Sequence, residues 1–268
     1  MKINQRNGGG PMSDWNSTQY LKFKNERTQP AIDLANRIEA ENPMKIADLG
    51  CGPGNSTQVL ADKFTNAYIL GVDNSENMIA AARENCPGLD FCICDIGKEL
   101  FQLNHDFDVV FSNACIQWVP DHPKLIPEMI GLLKKGGILA VQIPMNFQEP
   151  IHKIILEVSS SEKWNAYFPE KRIFYTLTPQ EYYDILSECT YEFSIWQTTY
   201  YHVMKSWQDI LEWYRSTGLR PYLSVLPEER RGEFEEDVFQ RLVKAYPQQK
   251  NGNILFRFPR FFFTACRM

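Results

Sequence analysis

Asp48 stands two residues before the first of three glycines, Gly50, Gly52 and Gly54, and Pro53 sits inside the run. Glycines at this spacing let a backbone bend tightly and lie against a ligand with no side chain between them. The pattern is GxGxG. It is not the GxGxxG of a dinucleotide site, whose helix N-terminus cradles a pyrophosphate. Pro53 also lacks the amide that a phosphate oxygen would take. Asp73 follows nineteen residues after Gly54, and Asp95 lies further on. A carboxylate at Asp73 can accept both hydroxyls of a ribose, and Asp95 can read an adenine edge. Asp48 can tie down the loop amides or face a positively charged group.

The elements that must hold these residues follow from the apolar pattern. Met44–Gly50 reads as a short buried strand, and Asn55 or Ser56 starts the helix after the glycines. Strands at 67–73, 89–95, 107–113 and 136–144 alternate with helices at 75–86 and around "HPKLIPEMIGLLK", with Ser75 as an N-cap and a glycine turn before the strand at 136. Strands separated mainly by helices predict a parallel sheet covered on both faces. A glycine turn alone is often only a tight connection. With carboxylates at the ends of the second and third strands it becomes a nucleoside site at the sheet's carboxyl ends. A ribose, an adenine and a cationic tail without phosphate describe S-adenosylmethionine, which is the expected cofactor, leaving S-adenosylhomocysteine as product.

Before this core, residues 13–38 have a helical pattern that Pro30 is expected to divide into two helices. After Pro144, helical segments at 147–164, 178–189, 206–217 and 228–245 surround two β-rich aromatic runs, 191–203 and 254–267. The two runs are expected to join one sheet edge, and the helices to form a lid. The chain has 268 residues, 44% of them hydrophobic and 23% charged, enough for one large domain. A net charge of −5 and a pI near 5.5 argue against a nucleic-acid partner. No window approaches the ~18 apolar residues of a membrane span. Seven cysteines without a CxxC pair, and four histidines far from any such spacing, favour reduced thiols in the cytoplasm over zinc or disulfides. Residues 1–11 lack an apolar signal region and read as a flexible leader or cloning remnant, so Met1 or Met12 is the native start.

"DLGCGPGN" (48–55), "GVDNSENMI" (71–79), "CDI" (94–96) and "SNACIQWVPD" (112–121) resemble the successive motifs of class I S-adenosylmethionine-dependent methyltransferases. "MSDWN" (12–16), "LAVQIPMNFQEP" (139–150), "YYDILSE" (182–188), "TTYYH" (198–202), "TGLRP" (217–221) and "FPRFF" (258–262) are similar to a narrower group, the trans-aconitate 2-methyltransferases. The resemblance implies a Rossmann-like α/β fold: a seven-stranded, mostly parallel sheet with helices on both faces, one antiparallel strand near its edge and a helical lid. It implies one domain over 12–268, with N-terminal helices (12–40) over the site, a cofactor core (44–144), lid segments (145–190 and 204–250) and edge strands (191–203 and 254–266). Asp48, Gly50, Gly52, Gly54, Asp73 and Asp95 would hold the cofactor, and Asn113 would lie beside the transferred methyl. The implied reaction converts a tricarboxylate to its monomethyl ester.

A carboxylate is ionised at neutral pH, its ordinary pKa being ~4, so no catalytic base and no metal are expected. The site has to align the reactants and exclude water. Trp15, Tyr20, Trp118, Tyr200 and Tyr201 are the expected walls. Arg220 and Arg260 are expected to hold the non-reacting carboxylates in paired hydrogen bonds, with Arg27 and His202 secondary. The expected partner is a small tricarboxylate, and the expected assembly a monomer or small homo-oligomer. Alternatives are methylation of another small acid or hydroxyl compound and a cofactor-binding protein without turnover. A nicotinamide oxidoreductase is disfavoured by Pro53 and the glycine spacing.

Overall fold

Seven runs rich in Ile, Val, Phe and Tyr form one sheet in the computed structural model, which describes residues 24–40, 42–170, 174–215 and 217–268. The strands are β1 (Lys45–Leu49), β2 (Tyr68–Asp73), β3 (Asp90–Ile93), β4 (Phe107–Asn113), β5 (Leu133–Pro144), β6 (Phe193–Met204) and β7 (Ile254–Cys266). Their order is β3-β2-β1-β4-β5-β7-β6, and β7 runs antiparallel to both its neighbours. The remaining strands are therefore parallel, as expected. β1 and β4 lie side by side, and the chain winds outward from them in opposite directions. Their carboxyl ends form the switch point at which such sheets hold ligands. β4 has every residue buried from Phe107 to Ser112, as a strand covered on both faces requires.

The helices are α1 (Lys24–Ala35), α2 (Asn55–Lys63), α3 (Glu76–Asn85), α4 (His122–Gly131), α5 (Pro150–Ser159), α6 (Pro179–Cys189), α7 (Trp207–Arg215), α8 (Arg220–Val225) and α9 (Glu228–Ala245). Ser75 caps α3 as expected, its hydroxyl accepting from the Met78 amide at 3.3 Å. Three sequence expectations are corrected. α1 runs straight through Pro30. The lost amide bond costs ~3 kcal/mol, and burial of Pro30, Ala31, Leu34 and Ala35 against Ile46, Leu60 and Phe111 offsets it. Gly136 and Gly137 do not precede β5 but bend it from within. Gly136 has φ +76°, and a Cβ on Gly137 would stand 3.0 Å from the Phe107 carbonyl oxygen. α6 belongs to the sheet and not to the lid, because Tyr182 and Leu186, one turn apart, are buried with Phe261 and Phe263.

α5, α7, α8 and α9 build a second core with the ends of β6 and β7, around Trp164, Trp213, Tyr214, Phe234 and Phe256. No helix among the described residues is long and apolar enough to cross a membrane. The two cores meet through β7. Phe262, at its centre, is fully buried and stacks on Trp196 with centroids 5.2 Å apart. Phe262→Ala should lower the unfolding free energy by about 3–5 kcal/mol, measured by urea denaturation; a loss below 1 kcal/mol would mean that β7 does not carry this packing.

Candidate active site

The turn after β1 is held from behind by β2: the amides of Gly50 and Cys51 both donate to the Val72 carbonyl, at 2.8 and 2.9 Å. Gly50, Gly52 and Gly54 all have positive φ, at 76°, 54° and 93°. They differ in what lies in front of them. A Cβ on Gly50 would fall 2.0 Å from the Cys115 sulfur, and one on Gly54 would fall 2.8 Å from the Cys86 sulfur. Only Gly52 faces open space. Gly50 and Gly52 both line a large cavity; side chains are excluded at Gly50 and Gly54 by the two cysteines, whereas at Gly52 the space a Cβ would fill is open. Burial pushes the Cys51 and Cys115 thiols well up, so both stay protonated and serve as packing.

The Gly52 amide donates to Asp73 Oδ2 at 3.0 Å, and the Ser75 amide to Oδ1 at 3.0 Å. Two backbone donors thus fix the carboxylate at the end of β2. Asp48 does not tie down loop amides as expected. Its Oδ2 accepts from the hydroxyls of Ser56 and Thr57 in the first turn of α2, both at 2.7 Å. Its Oδ1 is buried without a hydrogen-bond partner among the described residues. Burial raises its pKa to about 6 against those hydroxyl bonds, and the charge of Asp73 adds to the rise. Asp95 accepts from the Gly97 amide at 3.0 Å and pairs with Lys98 at 2.7 Å.

These groups border a cavity of about 750 Å³, within the range of small-molecule sites. Gly52, Asp73, Asp95 and Asn113 line it, with Thr28 of α1 on one side and Arg220 of α8 on the other. At the end of β4, Ala114 takes a left-handed φ of 53°, turning the chain between this cavity and a smaller chamber of about 140 Å³. Ala114 and Trp118 line both. The turn is braced from below: the Tyr182 hydroxyl lies 2.8 Å from His122 Nδ1, and His122 Nε2 lies 2.8 Å from the Ile116 carbonyl. With Nε2 donating to that carbonyl, Nδ1 accepts from the tyrosine. Burial lowers the His122 pKa, which keeps the ring in that neutral state. The small chamber is walled by Phe174, Trp213 and Phe258, with Asn146, His152, Tyr214 and Arg260 among its polar groups.

A family model described as a methyltransferase domain matches residues 40–214. A curated trans-aconitate 2-methyltransferase of Escherichia coli O139:H28 is 45% identical over 257 residues, covering 96% of this chain and 100% of the relative. The chain belongs to the trans-aconitate 2-methyltransferase family. Solved structures show the same fold at low identity. The YcgJ protein of Bacillus subtilis has a TM-score of 0.57 at 13% identity, covering 89% of this chain and 98% of that one. A Haemonchus contortus phosphoethanolamine N-methyltransferase 2, in complex with S-adenosyl-L-methionine, has 0.53 at 20%, covering 90% of this chain and 53% of that one.

Against this family frame, the structure sorts the expected substrate residues. Arg260, on β7 opposite Pro144 and Thr198, is only 3% exposed. Its Nη1 donates to Gln142 Oε1 at 3.1 Å, and its guanidinium lies 4.5 Å from the Phe258 ring centroid. Arg220 lines the larger cavity instead, so the two arginines do not share one chamber. His202 lines neither. It stacks behind the wall on Trp213 with centroids 4.8 Å apart, and burial, helped by the Arg260 charge, lowers its pKa to about 4. Tyr200 also lies outside both cavities, its hydroxyl donating to Asp33 of α1. Tyr201 is exposed, since neighbours on a strand point to opposite faces. Trp118 lines both cavities. Trp15, Tyr20 and the side chain of Arg27 lie outside the described residues.

Sequence reasoning passed over Ser56 and Thr57, although a Ser–Thr pair just inside a helix start is a visible signal. It also passed over Cys115, Asn146 and Tyr214, for which no local signal exists. The raised pKa of Asp48 sets a stability signature. Between pH about 4 and about 6 the ligand-free native state holds a proton that the unfolded chain has released. This acid therefore lowers stability as pH rises through that window, by on the order of 3 kcal/mol in full. Asp48→Asn should gain stability relative to the parent across the window and hold the gain above it. Parallel urea titrations from pH 4 to 7 measure this, and a difference independent of pH would refute the buried, uncompensated carboxylate.

Proposed function

We propose that the protein methylates a carboxylate of trans-aconitate with S-adenosylmethionine, giving the monomethyl ester and S-adenosylhomocysteine. The observation that carries this reading is a cavity lined by Gly52, Asp73 and Asp95 that adjoins, at Ala114 and Trp118, a chamber lined by Arg260, in a chain that matches trans-aconitate 2-methyltransferases over their full length. The nucleoside side has acceptors: the Asp73 carboxylate on the cavity wall, the buried Oδ1 of Asp48 behind the loop, and the buried Oδ1 of Asn113 at the end of β4. The smaller side is lined by Arg260 and Tyr214.

The residues fit the cofactor. Gly52 leaves open the space a Cβ would fill, and the Asp48 Oδ1 is an orphaned buried acceptor suited to a positively charged tail. Asp73 would take the ribose hydroxyls, and the Asp95 turn would border the base. Bound S-adenosylmethionine supplies a methyl group on a positively charged sulfur, which a carboxylate oxygen accepts as the sulfur regains its electron pair. The protein's own task is placement. Arg260 holds the acid from the inner end, Asn113 and Ala114 shape the junction, and Trp118 walls both chambers. Opposite charges cancel during the transfer, so the apolar walls formed by Trp118, Trp213 and Phe258 favour the transition state over hydrated reactants. No side chain has to take a proton from an acid already ionised. The reading extends to work in the cytoplasm, as a monomer or small homo-oligomer, on a free small molecule without nucleic acid or membrane.

Incubation with labelled cofactor and trans-aconitate, followed by mass analysis, should give the monomethyl ester; a faster reaction with another small acid would replace the substrate named here. The glycines separate binding from folding. Gly52→Ala, with open space ahead of its Cβ, should stay folded, losing about 1–2 kcal/mol to left-handed strain. Its S-adenosylmethionine affinity by calorimetry should fall at least tenfold. Gly50→Ala, driven into Cys115, should lose more stability than Gly52→Ala. If the two variants melt alike and bind alike, the division of roles is wrong.

A further inference from the structure

The inner chamber contains a group that the methyl transfer itself does not need. Tyr214 projects from α7 with its ring only 2% exposed. The ring is pinned. A Cβ on Gly218 would come within 2.4 Å of it, so the turn after α7 accepts only glycine there. His152 meets it edge-on with centroids 5.1 Å apart, and Phe256 does so from another side at 6.0 Å. Asn146, itself buried, donates Nδ2 to the Tyr214 oxygen at 2.8 Å. A phenol has one proton to give. The oxygen is already accepting, and no acceptor among the described residues takes that proton. Tyr214 lines the chamber that Arg260 also lines, and the arginine's charge is felt at its phenol. Burial holds the phenol well above its ordinary pKa, so it remains a neutral donor.

We propose that Tyr214, oriented by Asn146, donates its hydroxyl proton to a carboxylate that the substrate does not use in the reaction, and that this makes the enzyme selective for acids carrying a second carboxylate within short reach of the methylated one. The inference rests on the function proposed above and specifies its substrate class. The chamber's volume of about 140 Å³ leaves room for a carboxylate and the carbon that carries it. An acid lacking that group would leave the phenol's proton without an acceptor. Sites built to bond a polar group reject analogues without it by factors of roughly 10² or more. A lone cation would attract any anion. The oriented neutral donor adds the direction that a diffuse charge lacks.

The test compares the parent protein with Tyr214→Phe, which keeps the packed ring and removes only the hydroxyl. Two acids are used: trans-aconitate, and an analogue with one non-reacting carboxylate replaced by a carboxamide. Tyr214→Phe should raise the KM for trans-aconitate about tenfold or more. It should shrink the kcat/KM preference for trans-aconitate over the amide by a similar factor, with S-adenosylmethionine affinity within twofold of the parent. Asn146→Asp, which sets a second negative charge beside the hydroxyl, should weaken the triacid more than the amide, and it stands in if Tyr214→Phe fails to fold by circular dichroism. Calorimetric binding of trans-aconitate to the S-adenosylhomocysteine complex provides a readout without turnover. If the parent binds the acid but does not methylate it, the proposed reaction fails while Tyr214 is still tested by the loss of affinity. An unchanged KM, preference and affinity in Tyr214→Phe would overturn the inference, as would a parent protein that does not bind the triacid.

Discussion

Two backbone turns, one after β1 and one after β4, approach so closely that the Cys115 side chain occupies the place of a Cβ at Gly50. Much of the site's geometry follows from that contact. It sets the glycine turn against the left-handed turn at Ala114, between the larger cavity and the inner chamber. The approach is possible because β1 and β4 are adjacent parallel strands at the point where the winding of the sheet reverses. A second sulfur, that of Cys86 at the C-terminal end of α3, seats Gly54 in the same way. The loop is thus clamped from two sides, and of its three glycines only Gly52 has open space where a Cβ would stand.

The electrostatic design follows from that geometry and works against stability. Asp48 is fully buried, holds only hydroxyl partners and keeps one oxygen unpaired among the described residues. A folded state does not gain from such a group without its ligand. Arg260 is likewise withdrawn from water, against a neutral amide and an aromatic face. Groups of opposite sign, buried on the two sides of one turn, are preorganised for reactants that arrive charged and leave neutralised. The aromatic second core around Trp213, Tyr214 and Phe256 gives the inner chamber rigid walls.

Several expectations failed for reasons that lie in side-chain direction. Tyr200 and Tyr201 were both expected at the pocket, yet adjacent strand residues cannot face one cavity. His202 has the polarity of a ligand contact, but on β6 it stacks behind Trp213, away from both chambers. The two arginines were paired by chemistry alone. One stands at the start of α8 and the other on β7, and the folding of the lid separates them. α6 was grouped with the lid by its position in the chain, whereas its apolar face belongs to the sheet.

The sequence by itself determined the strand-by-strand rhythm of the core, the glycine turn, the acids that end β2 and β3, and the seven-stranded edge arrangement implied by its family resemblance. These are local features: period-two apolar runs, turn residues and spacings of about twenty residues are written in consecutive letters. Tertiary structure alone decided which glycines line the cavity, which arginine enters which chamber, and that a core-patterned tyrosine lines the smaller one beside Arg260. Those outcomes depend on contacts such as Gly50 with Cys115 and Asn146 with Tyr214, separated by 65 and 68 positions, which no local periodicity encodes.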